Sequence, residues 1–181
     1  GMPLGLDAGC GGWLSTRRLA VRFPDHAVIG VDRSESRLSR EHGPLPDNAL
    51  LVRADLVDFW RLALAAGWRP ARHYLLYPNP YPKASHLKMR WQGHPVFPVI
   101  LALGGRLELR SNWRLYVEEF ALATTQATGR PAEMEPHAPA GDFLTPFEQK
   151  YHASGQALWR LVVTLPHAPE LVPGTVVGGE P

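Results

Sequence analysis

Short apolar segments alternate along this chain with longer segments whose apolar residues recur at helical spacing. Short apolar runs bounded by Gly, Pro or Asp are typical of buried strands, and a three-to-four-residue repeat is typical of amphipathic helices. Strands that alternate with helices predict a parallel sheet with helices on both faces. The chain has 181 residues and 45% of them are apolar, so one domain is expected over residues 1–166, followed by a Pro/Gly-rich tail over 167–181.

The pattern predicts both the strands and the helices of this domain. The predicted strands are 4–8, 27–32, 48–55, 72–77, 106–112 and 157–165. The predicted helices are 13–23, 34–43, 56–67, 95–105 and 113–128. In the last helix Trp113, Tyr116, Val117, Phe120 and Thr124 share one face, which predicts the side that packs on the sheet.

Composition excludes several classes of protein. The formal charge of +2 excludes a strongly cationic chain but permits a local basic patch. Cys10 is the one cysteine, so no internal disulfide forms and a cytoplasmic protein is expected. No apolar run reaches the roughly 20 residues that a membrane helix needs. His86 and His94 lack partners at metal-ligand spacing, so no metal is expected. Separately, a monomer is the favoured oligomeric state.

Three strand ends carry a glycine turn or an acid. The first strand runs into Asp7-Ala8-Gly9-Cys10-Gly11-Gly12, whose glycines let a ligand approach the backbone. Asp32 ends the second strand and can bind both hydroxyls of a ribose, while Asp55 ends the third and can accept a hydrogen bond from an adenine amino group. The structural alternative to ligand binding is that the glycines only form a tight strand–helix turn and that Asp32 and Asp55 only cap the helices that follow them. Because carboxyl ends of parallel strands meet at one edge, the set together predicts an adenosine-containing ligand.

The fourth predicted strand runs into the loop "YPNPYPKASHLKMRW", residues 77–91. Its basic side chains are Lys83, His86, Lys88 and Arg90, a set that predicts a phosphate-binding patch, although a solvated helix face would show the same pattern. Asn79 is the first polar side chain after the strand, and it can either contact a substrate or satisfy the backbone of a proline-stiffened turn.

The segments "LDAGCGG", "GVD" and "RAD" resemble the three cofactor motifs of class I S-adenosylmethionine (SAM) methyltransferases. The turn lacks the third glycine of a dinucleotide fingerprint, which favours SAM over NAD. The resemblance implies a Rossmann-like α/β fold. Its sheet would be mostly parallel, of the seven-stranded type, with an antiparallel C-terminal strand.

Three further segments resemble one family within this class, the tRNA (guanine-N7)-methyltransferases. They are "YPNPYPKASHLKMRW" (77–91), "SNWRLYVEEF" (111–120) and "TPFEQKYHASGQALWRL" (145–161), and they occur in the family's order. The resemblance covers residues 4 to about 164 and begins at the first strand, so the family's N-terminal segment has no counterpart in it. It implies SAM as cofactor and tRNA as partner.

Carried over by position, the resemblance implies a role for each matching residue. The cofactor set is Asp7, Gly9, Cys10, Gly11, Asp32, Arg33, Ala54, Asp55 and Tyr77. The catalytic pair is Asn79 and Glu148. The substrate set is Lys83, His86, Lys88, Arg90, Asn112, Thr145 and Glu148.

The chain also departs from the family at four positions. Asn79 and Asn112 stand where the family has aspartates, and Ser85 and Met89 stand where its basic loop has arginines. Three hypotheses therefore stay open: a tRNA guanine-N7 methyltransferase, a methyltransferase for a small molecule, an exocyclic amine or a protein, and a non-catalytic protein that binds SAM or RNA.

Overall fold

The structure is a computed structural model that describes residues 1–40 and 42–168. Within these residues the strands are β1 (Leu4–Ala8), β2 (Ala27–Asp32), β3 (Ala49–Arg53), β4 (Arg72–Leu76), β5 (Gly105–Ser111), β6 (Met134–His137) and β7 (Leu158–Leu165). The α-helices are α1 (Leu14–Arg22), α2 (Glu35–Leu38), α3 (Leu56–Ala65), α4 (Phe97–Leu103), α5 (Arg114–Thr128) and α6 (Pro146–Ala153). Two short 3₁₀ turns, Ala84–Met89 and Trp91–Gly93, lie between β4 and α4.

The strands form one sheet in the order β3-β2-β1-β4-β5-β7-β6. Neighbours from β3 to β5 pair in parallel, and β7 runs antiparallel to both β5 and β6. The order in which strands are added to the sheet therefore reverses between the parallel neighbours β1 and β4: from β1 the strands extend toward β3, and from β4 they extend toward β5. Such a switch point opens a crevice at the carboxyl ends of the strands, and ligands of open α/β sheets bind there.

Each face of the sheet is covered by its own apolar cluster. Trp60 of α3, Ile100 of α4 and Phe120 of α5 belong to the larger cluster, and Leu19 of α1 belongs to the smaller one on the opposite face. In β4, Leu75 joins the larger cluster whereas Tyr74 and Leu76 join the smaller. This alternation is the period of two that a pleated strand imposes, and it shows that β4 is buried on both faces.

The predicted elements are found with small shifts at their ends. Four residues of the predicted α5 face are buried, whereas Trp113 precedes the helix and is half-buried. One helix is shorter than expected, because α2 covers only Glu35–Leu38 instead of 34–43. The chain beyond it is held by tertiary contacts rather than by helix hydrogen bonds: Trp13 donates to the carbonyl of Arg40, and Arg17 donates to that of Pro44. The sequence pattern did not predict β6 or α6.

The tail prediction falls mostly on residues outside the described ranges. The first two tail residues are hydrogen-bonded to the domain. The ring Nε2 of His167 bonds to the carbonyl of Pro70, and the amide of Ala168 donates to the carbonyl of Ala102. Within the described residues, none of the helices combines the length and apolarity required to cross a bilayer.

Gly30 of β2 allows the closest approach between the sheet and α1. A Cβ at this position would lie 2.2 Å from Oγ1 of Thr16 and 3.1 Å from Sγ of Cys10, both of which are buried. Gly5 of β1 is a matched strand glycine whose Cβ would meet only an ordinary contact at 3.7 Å. We expect Gly30→Ala to lower the free energy of unfolding by roughly 1–3 kcal/mol, because the overpacked helix must shift.

Urea unfolding of both variants measures this difference. Gly5→Ala should change the unfolding free energy by less than about 0.5 kcal/mol. Equal effects of the two substitutions would show that the approach of α1 to β2 is not tight.

Candidate active site

The turn after β1 leaves open space at the carboxyl edge of the sheet. Gly9 and Gly11 have φ angles of 76° and 57°, which glycine adopts without the steric cost that a side chain would bring. A Cβ at Gly11 would meet no atom within 4 Å. The amides of Gly9 and Cys10 both donate to the carbonyl of Val31, so the turn is fixed to β2. Burial raises the pKa of the Cys10 thiol, which is therefore not a nucleophile at neutral pH.

Asp7 at the end of β1 is a buried acid with one unpaired oxygen. Its Oδ2 accepts hydrogen bonds from the hydroxyls of Ser15 (2.6 Å) and Thr16 (2.8 Å). Its Oδ1 is buried and has no partner in the described part of the chain. Burial raises the pKa of Asp7 to about 6, against the lowering effect of the two hydroxyls. A cationic ligand group at Oδ1 would satisfy the orphaned oxygen and lower this pKa again.

Asp32 and Asp55 follow in the order that the sequence predicted. Asp32 is buried, and its Oδ2 accepts hydrogen bonds from the Ser34 amide and from Nε of Arg37, both at 3.0 Å. Asp55 is exposed and caps α3, with Oδ1 accepting from the amide of Asp58. The capping alternative therefore holds for Asp55, and this bond occupies only one of its carboxylate oxygens.

Two further members of the predicted cofactor set flank these acids. Arg33 is exposed, and its carbonyl accepts a hydrogen bond from Arg53. Ala54 is half-buried, and its amide donates to the carbonyl of Asp32. That hydrogen bond joins the segments after β2 and β3 at the edge where the two acids lie.

The loop after β4 is strained at two tyrosines. Tyr77 and Tyr81 have φ angles of 52° and 43°, a region that costs a non-glycine residue roughly 1–3 kcal/mol and is concentrated at functional sites. Exposed Asn79 lies between them, and its Oδ1 accepts a hydrogen bond from the Tyr81 amide at 3.1 Å. Asn79 therefore does satisfy the local backbone, as one of the alternatives proposed, while its amide group Nδ2 stays free of partners among the described residues.

The four predicted phosphate-binding residues separate into two groups. Lys83 and Lys88 are exposed and His86 is half-buried, with its ring 6.0 Å from that of Tyr81. Arg90 is buried instead, and its Nη1 donates to both carboxylate oxygens of Glu119, at 3.0 and 2.8 Å.

The remaining contacts of Arg90 give it a structural role. Its Nε donates to the carbonyl of Tyr81, and its guanidinium lies 4.8 Å from the ring centre of Trp113. Arg90 therefore fastens the loop to α5 rather than facing a phosphate.

Glu148, predicted as a catalytic residue, is fully buried in a network of partners. It accepts hydrogen bonds from Nη1 of Arg110 (3.0 Å), the hydroxyl of Tyr77 (2.6 Å) and the amide of Leu144 (3.1 Å). Burial alone would raise its pKa, but His137 at 3.5 Å, the charge of Arg110 and the Tyr77 hydroxyl lower it to about 2. A carboxylate with these partners holds Tyr77 in place and is not exposed to a substrate.

Thr145 and Asn112 also make protein contacts. Thr145 caps α6 and accepts a hydrogen bond from the Glu148 amide at 3.0 Å, so it fixes the backbone that carries the buried acid. Asn112, half-buried after β5, donates to the side chain of Gln156 at 2.9 Å. No group of three or more potential metal ligands occurs among residues 1–40 and 42–168.

Sequence reasoning missed Arg110, the residue that neutralises Glu148. Its Nε also donates to Oε2 of Glu108 at 2.7 Å, so one guanidinium bridges two buried acids. Burial opposes both charges, yet their mutual attraction raises the pKa of Arg110 and lowers that of Glu108. The sequence did carry a signal: charged residues alternate with leucines in "RLELR", whose leucines face the larger cluster.

The sheet order, the glycine turn and the acids at three adjacent strand ends define a class I SAM-dependent methyltransferase. Solved structures support the fold. This chain is similar to an antibiotic-related methyltransferase, with a TM-score of 0.64 at 14% identity, covering 90% of this chain and 88% of that one. It is also similar to the 16S rRNA methyltransferase KamB, with a TM-score of 0.62 at 19% identity, covering 92% and 88%.

The chain belongs to the family described as "Putative methyltransferase", whose model matches residues 2–161. Among curated proteins it is similar to the tRNA (guanine-N(7)-)-methyltransferase of Treponema pallidum (strain Nichols), 27% identical over 169 residues. The similarity covers 88% of this chain and 66% of that protein, so the chain spans just under two thirds of this relative. The enzyme of that name from Leifsonia xyli is 26% identical over 172 residues, covering 88% and 74%.

The residues at the site fit SAM, the cofactor of this class. Oδ1 of Asp7 is a buried acceptor without a partner among the described residues, which suits the ammonium group of the methionine part, and the open space at Gly11 admits a ligand beside the turn. Asp32 ends β2 and Asp55 lies two residues after the end of β3, in the order that a ribose and an adenine require. When bound, SAM supplies the electrophilic methyl group.

Removing the charge of Asp7 should separate cofactor binding from stability. Because its pKa is about 6 in the folded protein and 3.8 in an unperturbed aspartate, this acid stabilises the fold below pH 3.8 and loses that contribution as pH rises through 6. Asp7→Asn should therefore leave the melting temperature at pH 8 unchanged or higher, while SAM affinity falls at least about tenfold.

Calorimetric titration with SAM measures this effect. Wild-type affinity should also weaken as pH falls below about 6, and Asp7→Asn should remove that dependence. Asp47→Asn is the matched control, because Asp47 is exposed. Unchanged SAM binding by Asp7→Asn would exclude the proposed ammonium contact.

Glu148→Gln distinguishes an orienting role from a catalytic one. The substitution keeps the shape but leaves Arg110 less neutralised, so we expect the unfolding free energy to fall by roughly 3 kcal/mol. The circular dichroism of Tyr77 and its neighbours in the near ultraviolet should change as well. A large fall in catalytic rate with unaltered stability would instead support direct contact of Glu148 with the substrate.

Proposed function

We propose that this chain transfers a methyl group from SAM to N7 of a guanine in tRNA. The observation that carries the proposal is the similarity to enzymes of this activity over 88% of the chain. The three acceptor-side segments that resemble the family fall on the β4 loop, the end of β5 and α6. With tRNA as substrate, the expected compartment is the cytoplasm.

Methylation of guanine N7 does not require a free acid beside the acceptor. The N7 lone pair would attack the methyl carbon of SAM while the bond from that carbon to sulfur breaks and S-adenosylhomocysteine leaves. No base would have to remove a proton, and the guanine ring would become cationic as the new bond forms. The site contributes by positioning the ring in line with the methyl group and by polar contacts to it. Asn79 offers an uncharged amide whose Nδ2 can donate to the O6 carbonyl of guanine.

The loss of negative charge at position 79 predicts a slow enzyme. The nearest acid that the family resemblance implied, Glu148, is paired with Arg110 and lies behind Tyr77. Its charge is therefore largely cancelled where the cationic ring would form. Removing one preorganised electrostatic contact typically costs a few kcal/mol in the transition state.

A different acceptor is the second candidate, favoured by the same missing acid. A trans-aconitate 2-methyltransferase from Methylobacterium radiotolerans is 41% identical over 69 residues, which cover 38% of this chain and 23% of that protein. A small acceptor of this kind would make SAM turnover independent of tRNA.

Methyl transfer from labelled SAM to unmodified bulk tRNA, with mass spectrometry of the nucleosides, tests the proposal. We expect 7-methylguanosine above a blank without enzyme, and Asn79→Asp should raise its rate by roughly tenfold or more, because the acid stabilises the cationic product ring. Gln126→Glu is the matched change of an amide to an acid at an exposed position of α5, away from the β4 loop, and it should leave the rate unchanged. No 7-methylguanosine from either protein, with SAM binding intact, would exclude the guanine-N7 reaction and favour another acceptor.

A further inference from the structure

Three arginines of α1 surround an open surface cavity of about 440 Å³. Arg17, Arg18 and Arg22 line it together with Val21 and Asp142. Asp142 pairs with Arg22 and is the one acid among the described residues of this lining, whose net charge is therefore +2. Like charges held around one cavity repel each other, so the cavity favours an anion.

The hydrogen bonds of these arginines leave donors unused. Arg17 donates through Nε to the Pro44 carbonyl at 3.3 Å, and Arg18 donates through Nη1 to the Phe143 carbonyl. A guanidinium has five N–H donors, so each keeps several for another acceptor. The planar fork of such donors matches the oxygens of a phosphate group.

An aromatic row lies on α6 and runs toward the end of β4. The rings of Phe147 and Tyr151 are stacked, with centroids 6.2 Å apart and planes 23° apart. The Tyr151 ring in turn lies 5.8 Å from that of Tyr77, whose hydroxyl is fixed by Glu148. Phe147 is 56% exposed, so the outer end of the row presents an aromatic ring to solvent.

The arginine cavity and the aromatic row are neighbours. The segment 142–143 lines or contacts the cavity and leads within a few residues into α6. Phe143 also packs its ring against His152 of α6, at 5.5 Å between centroids. Asp142 of the cavity thus lies five positions before the exposed Phe147, and the inner end of the row, Tyr77, lies two positions before Asn79. We refer to the cavity and the row together as the arginine–aromatic surface.

We propose that one RNA strand crosses this surface, with a phosphate in the arginine cavity and an unstacked base on Phe147. The inference rests on the proposed function, because it supplies an RNA contact for that reaction. Single strands are bound in this way elsewhere: arginines follow the phosphates, and bases stack on aromatic rings. The arginine donors would also fit the carboxylates of an acidic protein, but the exposed aromatic row favours RNA, whose bases stack on such rings.

The two halves of the surface make different predictions for binding. An arginine that contacts a phosphate releases counterions, so its loss lowers the slope of log K against log salt by about 1. A stacking ring releases none, so its loss weakens binding about fivefold or more at every salt concentration without changing the slope. This difference identifies each contact separately.

Fluorescence anisotropy with labelled unmodified tRNA at several salt concentrations provides the test. Arg22→Gln should lower the slope, whereas Arg130→Gln, the same change at an exposed arginine of the α5 end, should not. Phe147→Leu should weaken binding with an unchanged slope, and Phe147→Trp should restore it. SAM affinity should be the same for all four variants, which excludes a general loss of folding.

The outcomes separate this inference from the proposed function. If tRNA binds with these dependences but no 7-methylguanosine forms, the RNA surface stands and the reaction is wrong. If 7-methylguanosine forms while Arg22→Gln and Phe147→Leu bind tRNA like the wild type, the reaction stands and the surface is wrong. Equal slope changes for Arg22→Gln and Arg130→Gln, or no binding of tRNA by the wild type, would also overturn the inference.

Discussion

Three buried charges meet behind the acceptor side of the site, with Arg110 of β5 between the carboxylates of Glu108 and Glu148. Burying charges is costly unless each is paired and hydrogen-bonded, so the position of each group depends on the others. Through Glu148 the network reaches Tyr77 at the end of β4 and the amide of Leu144 before α6. Elements far apart in sequence are thereby fixed relative to one another.

The cofactor side depends on a different kind of contact. Asp7 is held by two hydroxyls of α1 and keeps one oxygen without a partner among the described residues, at a cost in stability that a cationic ligand group removes. The hydrogen bonds around Glu148 are therefore formed within the protein alone, whereas the hydrogen bonding of Asp7 is completed only when a ligand binds. The strained loop that carries Asn79 is fixed at both ends. At its start the amide of Tyr77 donates to the carbonyl of Arg110, and further along the side chain of Arg90 donates to the carbonyl of Tyr81.

Asn79 stands at the position where the guanine-N7 family has an aspartate. Where an acid would bring charge to the substrate, this chain has an amide bonded to its own loop. The exposed basic residues Lys83 and Lys88 lie on the following turn, whereas the arginines that surround a cavity lie on α1. Recognition of RNA by phosphate contacts and base stacking would not require an acid at position 79, so the proposed RNA surface does not depend on that residue.

The sequence by itself determined the α/β architecture, the sheet carrying the glycine turn, and the order of Asp7, Asp32 and Asp55 along its edge. Those features follow from periodicity and turn residues, which act over short stretches of chain. Only the tertiary structure decided that Glu148 and Arg90 are buried and paired, since their partners Tyr77 and Glu119 are 71 and 29 residues away. It likewise decided the short α2, the strand β6 and the row from Phe147 to Tyr77. Burial and long-range pairing depend on where distant segments meet, and no local pattern encodes that.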